Sequence, residues 1–428
     1  MGRPPQPAHD SHAQPPSPRR PASRLSFRPL TVHPDRPPQS RRPAMRLILL
    51  LGLAGFASAF SLRTTDPMLT IIAADLDVSV RQAALLASAY TLPYALMQIV
   101  LGPVGDAIGK SRLIRLALMV LTVGLALSAI APSYGTVMAG RILAGAFAGG
   151  IIPASMALIG DRVAYGERQI AISRFLLAVI LGQMSGSVVA GIMAEAYGWR
   201  AVFGLAAGLT ALICAAALIG LRGEVEARSP LSVADARRRY ATVLTNPVSL
   251  FVFATVAGEG LLIFGIFPFV APVLMAHGAS GAFEAGLTIA AFAIGGVAYS
   301  AVVRRLIASL GQWGMMQAGG LLAGLAYLLI AFPVPWPVVS AAFLVAGFGF
   351  YMLHNTMQTQ ATELAPTARG SALALFASSF FLGQGIGPVL YGAVADHTGF
   401  PPLFLGVGVL TALLGFASVR LIRRPRTA

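Results

Sequence analysis

Residues 181–203, LGQMSGSVVAGIMAEAYGWRAVF, return in altered form at residues 382–404, LGQGIGPVLYGAVADHTGFPPLF, displaced by 201 positions (382 − 181 = 201). Gly182, Gln183, Gly186, Gly191, Gly198 and Phe203 recur as Gly383, Gln384, Gly387, Gly392, Gly399 and Phe404. At the same spacing Glu195 becomes Asp396 and Arg168 becomes Arg369. Random apolar sequence would not hold glycines, glutamines and acids in register, so the chain is a doubled object. Two related halves of a strongly apolar chain put any functional site where the halves meet.

Composition sets the solvent. With 56% hydrophobic and 11% charged residues and a mean hydropathy of +0.74, a 428-residue chain has too little polar surface to coat a soluble globule. Apolar runs near or above the roughly 20 residues that cross a bilayer recur about twelve times, six per half. They fall near 47–73, 82–101, 113–131, 134–159, 170–193, 201–221, 249–275, 283–303, 313–332, 336–357, 371–394 and 403–421. The expected fold is an all-α membrane protein, with twelve transmembrane helices in two pseudo-symmetric six-helix bundles. The expected organisation is a tail at 1–44, one bundle at 45–221, a linker at 222–248 and a second bundle at 249–428.

A net charge of +15 can suggest nucleic acid, but here the basic residues follow topology. Lys110, Arg112 and Arg115 follow span 2, Arg162 and Arg168 follow span 4, and Arg222, Arg228 and Arg237 to Arg239 follow span 6. Arg304 and Arg305 follow span 8, Arg369 follows span 10, and Arg420, Arg423, Arg424 and Arg426 close the chain. The opposite connections hold little besides Arg81 and Arg200. Positive residues stay on the side of synthesis, so both termini are expected in the cytoplasm and no nucleic-acid partner is implied. The lone Cys214 excludes an internal disulfide and reads as a packed apolar thiol.

Residues 1–44 are rich in Pro, Arg, Ser and His with almost no aliphatic periodicity, which predicts disorder. The following LILLLGLAGFASAF imitates a secretory signal, but the apolar run continues past Asp66 to Ala74 and the first half needs six spans, so an uncleaved first helix is expected. Translation starting at Met45 is a further hypothesis, refuted by any native peptide from residues 1–40. The linker, containing EVEAR and DARRRY, reads as a short amphipathic helix, held at an anionic lipid surface or simply solvated.

Between spans 2 and 3 lies Gly102-Pro-Val-Gly-Asp-Ala-Ile-Gly-Lys-Ser-Arg112, a tight polar turn between two apolar helices. It resembles the first cytoplasmic-loop motif of the major facilitator superfamily: Gly102, Asp106, Gly109, Lys110 and Arg112 match, and Ala107 replaces the usual Arg. Together with twelve spans, the 6+6 repeat and the basic linker, the resemblance covers about residues 47–421. It implies that this loop controls the exchange between outward-open and inward-open states, with Asp106 meeting basic residues or a helix N-terminus of the other half. A plain helix-capping role for Asp106 is the alternative. The matching loop of the second half, VVRRLIASLGQW, keeps Arg305 and Gly311 without an acid and looks vestigial. Arg141-Ile-Leu-Ala-Gly145 in span 4 is similar to the family's second motif. In span 5, drug/proton antiporters of the superfamily carry Gly-Pro-x-x-Gly-Gly, where this chain reads Gly186-Ser-Val-Val-Ala-Gly191, while Gly387-Pro388 of span 11 keeps the dipeptide. The antiport signal is present but displaced.

Arg63 and Asp66 in span 1, Arg141 in span 4 and Glu259 in span 7 lie well inside apolar runs, and their formal charges cancel. The resemblance implies that spans 1, 4, 7 and 10 line a central cavity, to which span 10 adds Tyr351, His354 and Asn355 as candidate substrate contacts. Arg63 and Asp66, three residues apart, share a helix face and can pair. Arg141 is uneconomical in lipid, by at least ~2.5 kcal/mol, unless it faces water or a counter-ion, so it is expected to look into the cavity. If an arginine moves away, desolvation favours a neutral, protonated Asp66, which supplies a route to proton coupling. Glu259 has no basic residue on its own helix and reads as a second proton site or a partner for a cationic solute. A static ion network that fixes packing is the alternative for all four. For His354 a helix-end role is expected ahead of a proton relay.

The preferred expectation is a proton-coupled secondary transporter of a small organic solute in the bacterial inner membrane, monomeric, acting by alternating access and most simply exporting. Proton-driven uptake of a small metabolite, with an anion among the options, and a non-transporting membrane sensor are the alternatives. No Gly-x-x-x-x-Gly-Lys-Ser/Thr loop appears, and His9, His12, His33, His277, His354 and His397 form no metal-ligand spacing, so neither an enzyme, a cofactor nor a metal is expected. The partners implied are solute, protons and membrane lipid.

Overall fold

The computed structural model describes residues 1–2, 41–223, 230–279 and 281–423. Most of the expected tail, the EVEAR stretch and the last arginines therefore lie outside the described residues. The first half runs through α1 (Arg41–Arg63), a 3₁₀ turn (Asp66–Met68), α2 (Leu69–Asp75), α3 (Val80–Ile108), α4 (Lys110–Ala129), α5 (Tyr134–Arg162), α6 (Tyr165–Tyr197) and α7 (Trp199–Gly220). The linker forms α8 (Val233–Leu244), an amphipathic helix capped by Ser232, as its sequence predicts. The second half follows as α9 (Ser249–Glu259), a π turn (Gly260–Phe264), a 3₁₀ turn (Phe267–Phe269), α10 (Val270–Ala276), α11 (Ala282–Ile330), α12 (Trp336–Glu363), α13 (Arg369–Thr398) and α14 (Phe400–Ile422). No strand occurs among the described residues.

Spans 8 and 9, expected as separate helices, are separate: they are the two arms of α11, which breaks at Gly311. Its 49 residues would reach about 74 Å if straight, more than twice a hydrocarbon core of roughly 30 Å. The chain turns at Gly311 (φ 63), a left-handed conformation open to glycine, so the arms cross separately and the total is twelve crossings. An even number returns the chain to the face on which it began, so the start of the first crossing, the end of α14 and α8 share that face.

The sequence repeat is also a packing repeat. A Cβ on Gly182 would strike the Phe56 carbonyl of α1, and a Cβ on Gly383 would strike the Ala257 carbonyl of α9. Phe56 and Ala257 are themselves 201 apart (257 − 56 = 201), so the duplicated glycines make one helix crossing twice. Such close approach supplies the backbone packing that replaces hydrophobic driving force in lipid. Gly145 does the same between α5 and α3, where a Cβ would collide with Tyr90 backbone atoms. Gly145→Ala is expected to cost about 1–3 kcal/mol, read as a lower thermal unfolding temperature of the purified protein.

Each half also breaks its first crossing. Pro67 and Pro268 lie 201 apart (268 − 67 = 201), each inside a 3₁₀ turn, and each lacks the N–H that would continue the helix. The carbonyls released by the breaks are bonded from neighbouring helices. Arg141 Nη1 donates to the Ser61 carbonyl at 3.0 Å, and the Tyr327 hydroxyl donates to the Ile263 carbonyl at 2.8 Å.

Candidate functional site

Two buried charge clusters flank the seam between the halves. In the first, Arg63 ends α1 and Asp66 opens the 3₁₀ turn, and Arg63 Nη1 donates to Asp66 Oδ2 at 3.3 Å with both side chains under 5% exposed. The expected pair forms, although the helix is interrupted between its members. The Arg63 guanidinium also lies 4.7 Å from the Phe264 ring centre and 4.8 Å from that of Phe267, so a cation of the first half rests on aromatic faces of the second.

In the second cluster, Glu259, fully buried, has the partner its own helix lacks. Its Oε2 lies 2.7 Å from Nδ1 of His354 on α12, while its Oε1 has no hydrogen-bond partner. His354 is therefore not a helix-end residue. The apolar run fades near residue 357, but α12 continues to Glu363 because the hydroxyls of Thr359 and Thr362 bond back to the Asn355 and Thr359 carbonyls. Depth would have revealed the pair. Glu259 is ten residues into α9 and His354 nine from the end of α12, which places them about 15 and 14 Å from the same face. The imidazole is boxed by Phe350, Phe376 and Phe380 at 4.8, 5.1 and 5.1 Å between ring centres. A carboxylate and an imidazole in contact can carry zero, one or two extra protons with different net charge, chemistry that neither group has alone.

Arg141 departs from its expected place in a cavity wall. It is fully buried inside the first half, where Nη1 bonds the Ser61 carbonyl, Nε bonds the Leu86 carbonyl at 3.3 Å, and the Tyr90 ring centre lies 4.2 Å from the guanidinium. The break before Pro67 accounts for one of these bonds: the Ser61 carbonyl lies in the last turn of the shortened helix α1, where the negative end of the helix dipole favours a cation. Among the described residues it has no carboxylate at ion-pair distance.

The motif loop turns at Gly109 (φ 100), the junction of α3 and α4. Lys110 Nζ lies 2.8 Å from Asp161 Oδ2 at the end of α5 and 3.4 Å from Asp106 Oδ1, so the loop acid is neutralised within its own half. Arg112 points to solvent. Gly102, Asp106 and Lys110 line a cleft of about 450 Å³, whose other walls are Gln98 of α3, Arg239 and Tyr240 of α8, and Gly370 and Ser371 at the start of α13. Asp106 thus faces the N-terminus of α13 across open space. Tyr351, His354 and Asn355 do not line this cleft, and Tyr351 packs on Tyr299 and Phe350. Two polar contacts tie the linker to the halves near it: the Tyr240 hydroxyl donates to the Ile99 carbonyl of the first half at 2.9 Å, and Asn246 Nδ2 donates to the Leu364 carbonyl of the second at 2.9 Å.

The face opposite the termini is packed shut. α6 lies along α11, with Gly286 against Ser187, and α3 lies along α13, with Gly385 against Leu92. Leu69, Ala73, Ala83 and Ala84 of the first half join the hydrophobic core of the second.

Twelve crossings in two related halves, closed at one face and cleft at the other, define a repeat-built polytopic membrane protein. The chain belongs to the major facilitator superfamily, whose family model matches residues 51–372. It is 25% identical over 359 residues to the MFS-type transporter YceJ of Bacillus subtilis, covering 83% of this chain and 90% of that one. It is 27% identical over 400 residues to the inner membrane transport protein YdhP of Escherichia coli K12, covering 88% and 97%. A crystal structure of a POT family transporter in complex with 5-aminolevulinic acid shares the fold, with a TM-score of 0.75 at 15% identity over 89% of this chain and 97% of that one. The protein is a multi-pass membrane transporter, not an enzyme.

Proposed function

We propose that the protein is a proton-coupled secondary transporter that moves a small organic solute across the cytoplasmic membrane by alternating access, outward in normal operation. The observation that carries this reading is the asymmetry of the seam, shut at the face opposite the termini and cleft beside the motif loop. With the termini on the cytoplasmic side, as the basic loops argue, that is an inward-facing state. The Glu259–His354 pair is the main proton carrier, since it can change charge without stranding a cation. Asp66 is the secondary one, paired with Arg63 in this state and released from it when the halves rearrange. Asp106 is the switch residue: when the cleft closes, it leaves Lys110 to Asp161 and caps α13. Uptake is the second reading: Arg63 is engaged by Asp66 and the Phe264 and Phe267 rings, while Arg141 bonds two backbone carbonyls and keeps Nη2 without a hydrogen-bond partner.

The test is a solute screen on purified protein in liposomes under an imposed pH gradient. Solute movement opposite to the proton gradient, slowed by Asp106→Asn and Asp66→Asn, is the expected result. Flux indifferent to the gradient would remove proton coupling, and flux in the direction of the protons would reverse the assigned polarity.

A further inference from the structure

The closed face has its own symmetric device. Glu195 stands four residues after Gly191 on α6, and Asp396 four residues after Gly392 on α13 (195 − 191 = 4; 396 − 392 = 4). That spacing sets each acid one turn beyond a glycine on the same helix face. A Cβ on Gly191 would lie 3.2 Å from the Phe283 Cα at the start of α11, and a Cβ on Gly392 would lie 2.8 Å from the Arg81 Cγ at the start of α3. Both glycines thus press against the first turn of a helix from the opposite half. Beyond them, Glu195 Oε1 accepts from the Phe283 backbone N–H at 2.9 Å, and Asp396 Oδ2 lies 3.5 Å from Arg81 Nη1.

The first N–H groups of a helix have no partner within it. On α11 one part of this deficit is met locally, by Glu284 accepting from Gly281 N–H at 3.0 Å, and the next by Glu195 from the other half. A carboxylate on a helix N-terminus gains from both hydrogen bond and dipole. The Arg81–Asp396 pair, with side chains 47% and 49% exposed, is the weaker of the two. Neither acid belongs to the buried clusters or to the motif loop.

We propose that Glu195 and Asp396 are paired latch residues, which hold the face opposite the termini closed and must let go for that face to open. The inference rests on the alternating-access reading. Its test is a distance measurement on full-length protein in lipid nanodiscs, in a Cys214→Ser background that removes the single cysteine. Spin labels at Tyr197→Cys and Met275→Cys report one seam, and labels at Ala74→Cys and Thr398→Cys report the other. Glu195→Ala is expected to raise the ratio of long-distance to short-distance populations about tenfold, the size of a lost charge-assisted bond, and Asp396→Ala about two- to fivefold. Glu195→Gln, which keeps an acceptor without charge, falls between wild type and Glu195→Ala. Gly191→Leu serves as a steric wedge at the same seam. If the wedge widens the distances and the acid variants do not, the latch is refuted while the rocking motion stands. If the wedge leaves them unchanged as well, the rocking motion fails and takes the latch with it.

Discussion

Arg63→Ala is expected to destabilise the protein by about 3–5 kcal/mol, because it strands the Asp66 carboxylate in a site only 3% exposed. Removing both partners is a different perturbation. Arg63→Ala with Asp66→Ala leaves neither member of the pair stranded, and most of the lost stability should return, short of what the guanidinium contributes by resting on Phe264 and Phe267. Thermal unfolding of the purified protein, followed by circular dichroism, measures the double-mutant cycle. Additive losses would mean that the two side chains do not interact as the 3.3 Å contact requires.

The second large effect concerns flux. Glu259→Gln preserves size and one acceptor beside His354 but removes the titrating carboxyl. Gradient-driven transport in liposomes is expected to fall to the protein-free level, while exchange of labelled for unlabelled solute, which needs no net proton movement, continues. His354→Asn should weaken gradient-driven transport less, since Glu259 can still carry a proton alone. Loss of exchange as well as driven flux in Glu259→Gln would make the carboxyl a solute contact or a structural element and not a proton carrier.

The fold was legible because its information is periodic. Apolar run length, the 201-residue repeat and the placement of arginines each encode the bilayer or the duplication, and none depends on a particular tertiary contact. What could not be read was decided by single long-range contacts. Arg141 reads as a cavity charge because burial of an arginine is unfavourable in lipid, yet the Ser61 carbonyl at the broken end of α1 and the Leu86 carbonyl of α3 hold it inside the first half. Glu259 looked unpartnered because its base lies 95 residues away on another helix (354 − 259 = 95). Matching depths on neighbouring spans would have joined them. Spans 8 and 9 are separated by a short basic stretch in the sequence, and the non-helical backbone at Gly311 breaks the chain there into two helices, as expected. The Glu195 and Asp396 recurrence was visible from the outset, but its meaning needed the opposing helix ends.

Pro67 and Pro268 leave a seven-residue helical cap, α2 or α10, hinged at the end of each half's first crossing. Such a cap is about 10 Å long, so a swing of roughly 20° at its kink carries the tip about 4 Å. A displacement of that size admits water without tilting the long helix beneath. On the proposed alternating-access cycle, wetting and bulk reorientation of the two halves would then be distinct events, and a rigid molecule wedged under either cap would act as a doorstop on the first without touching the second.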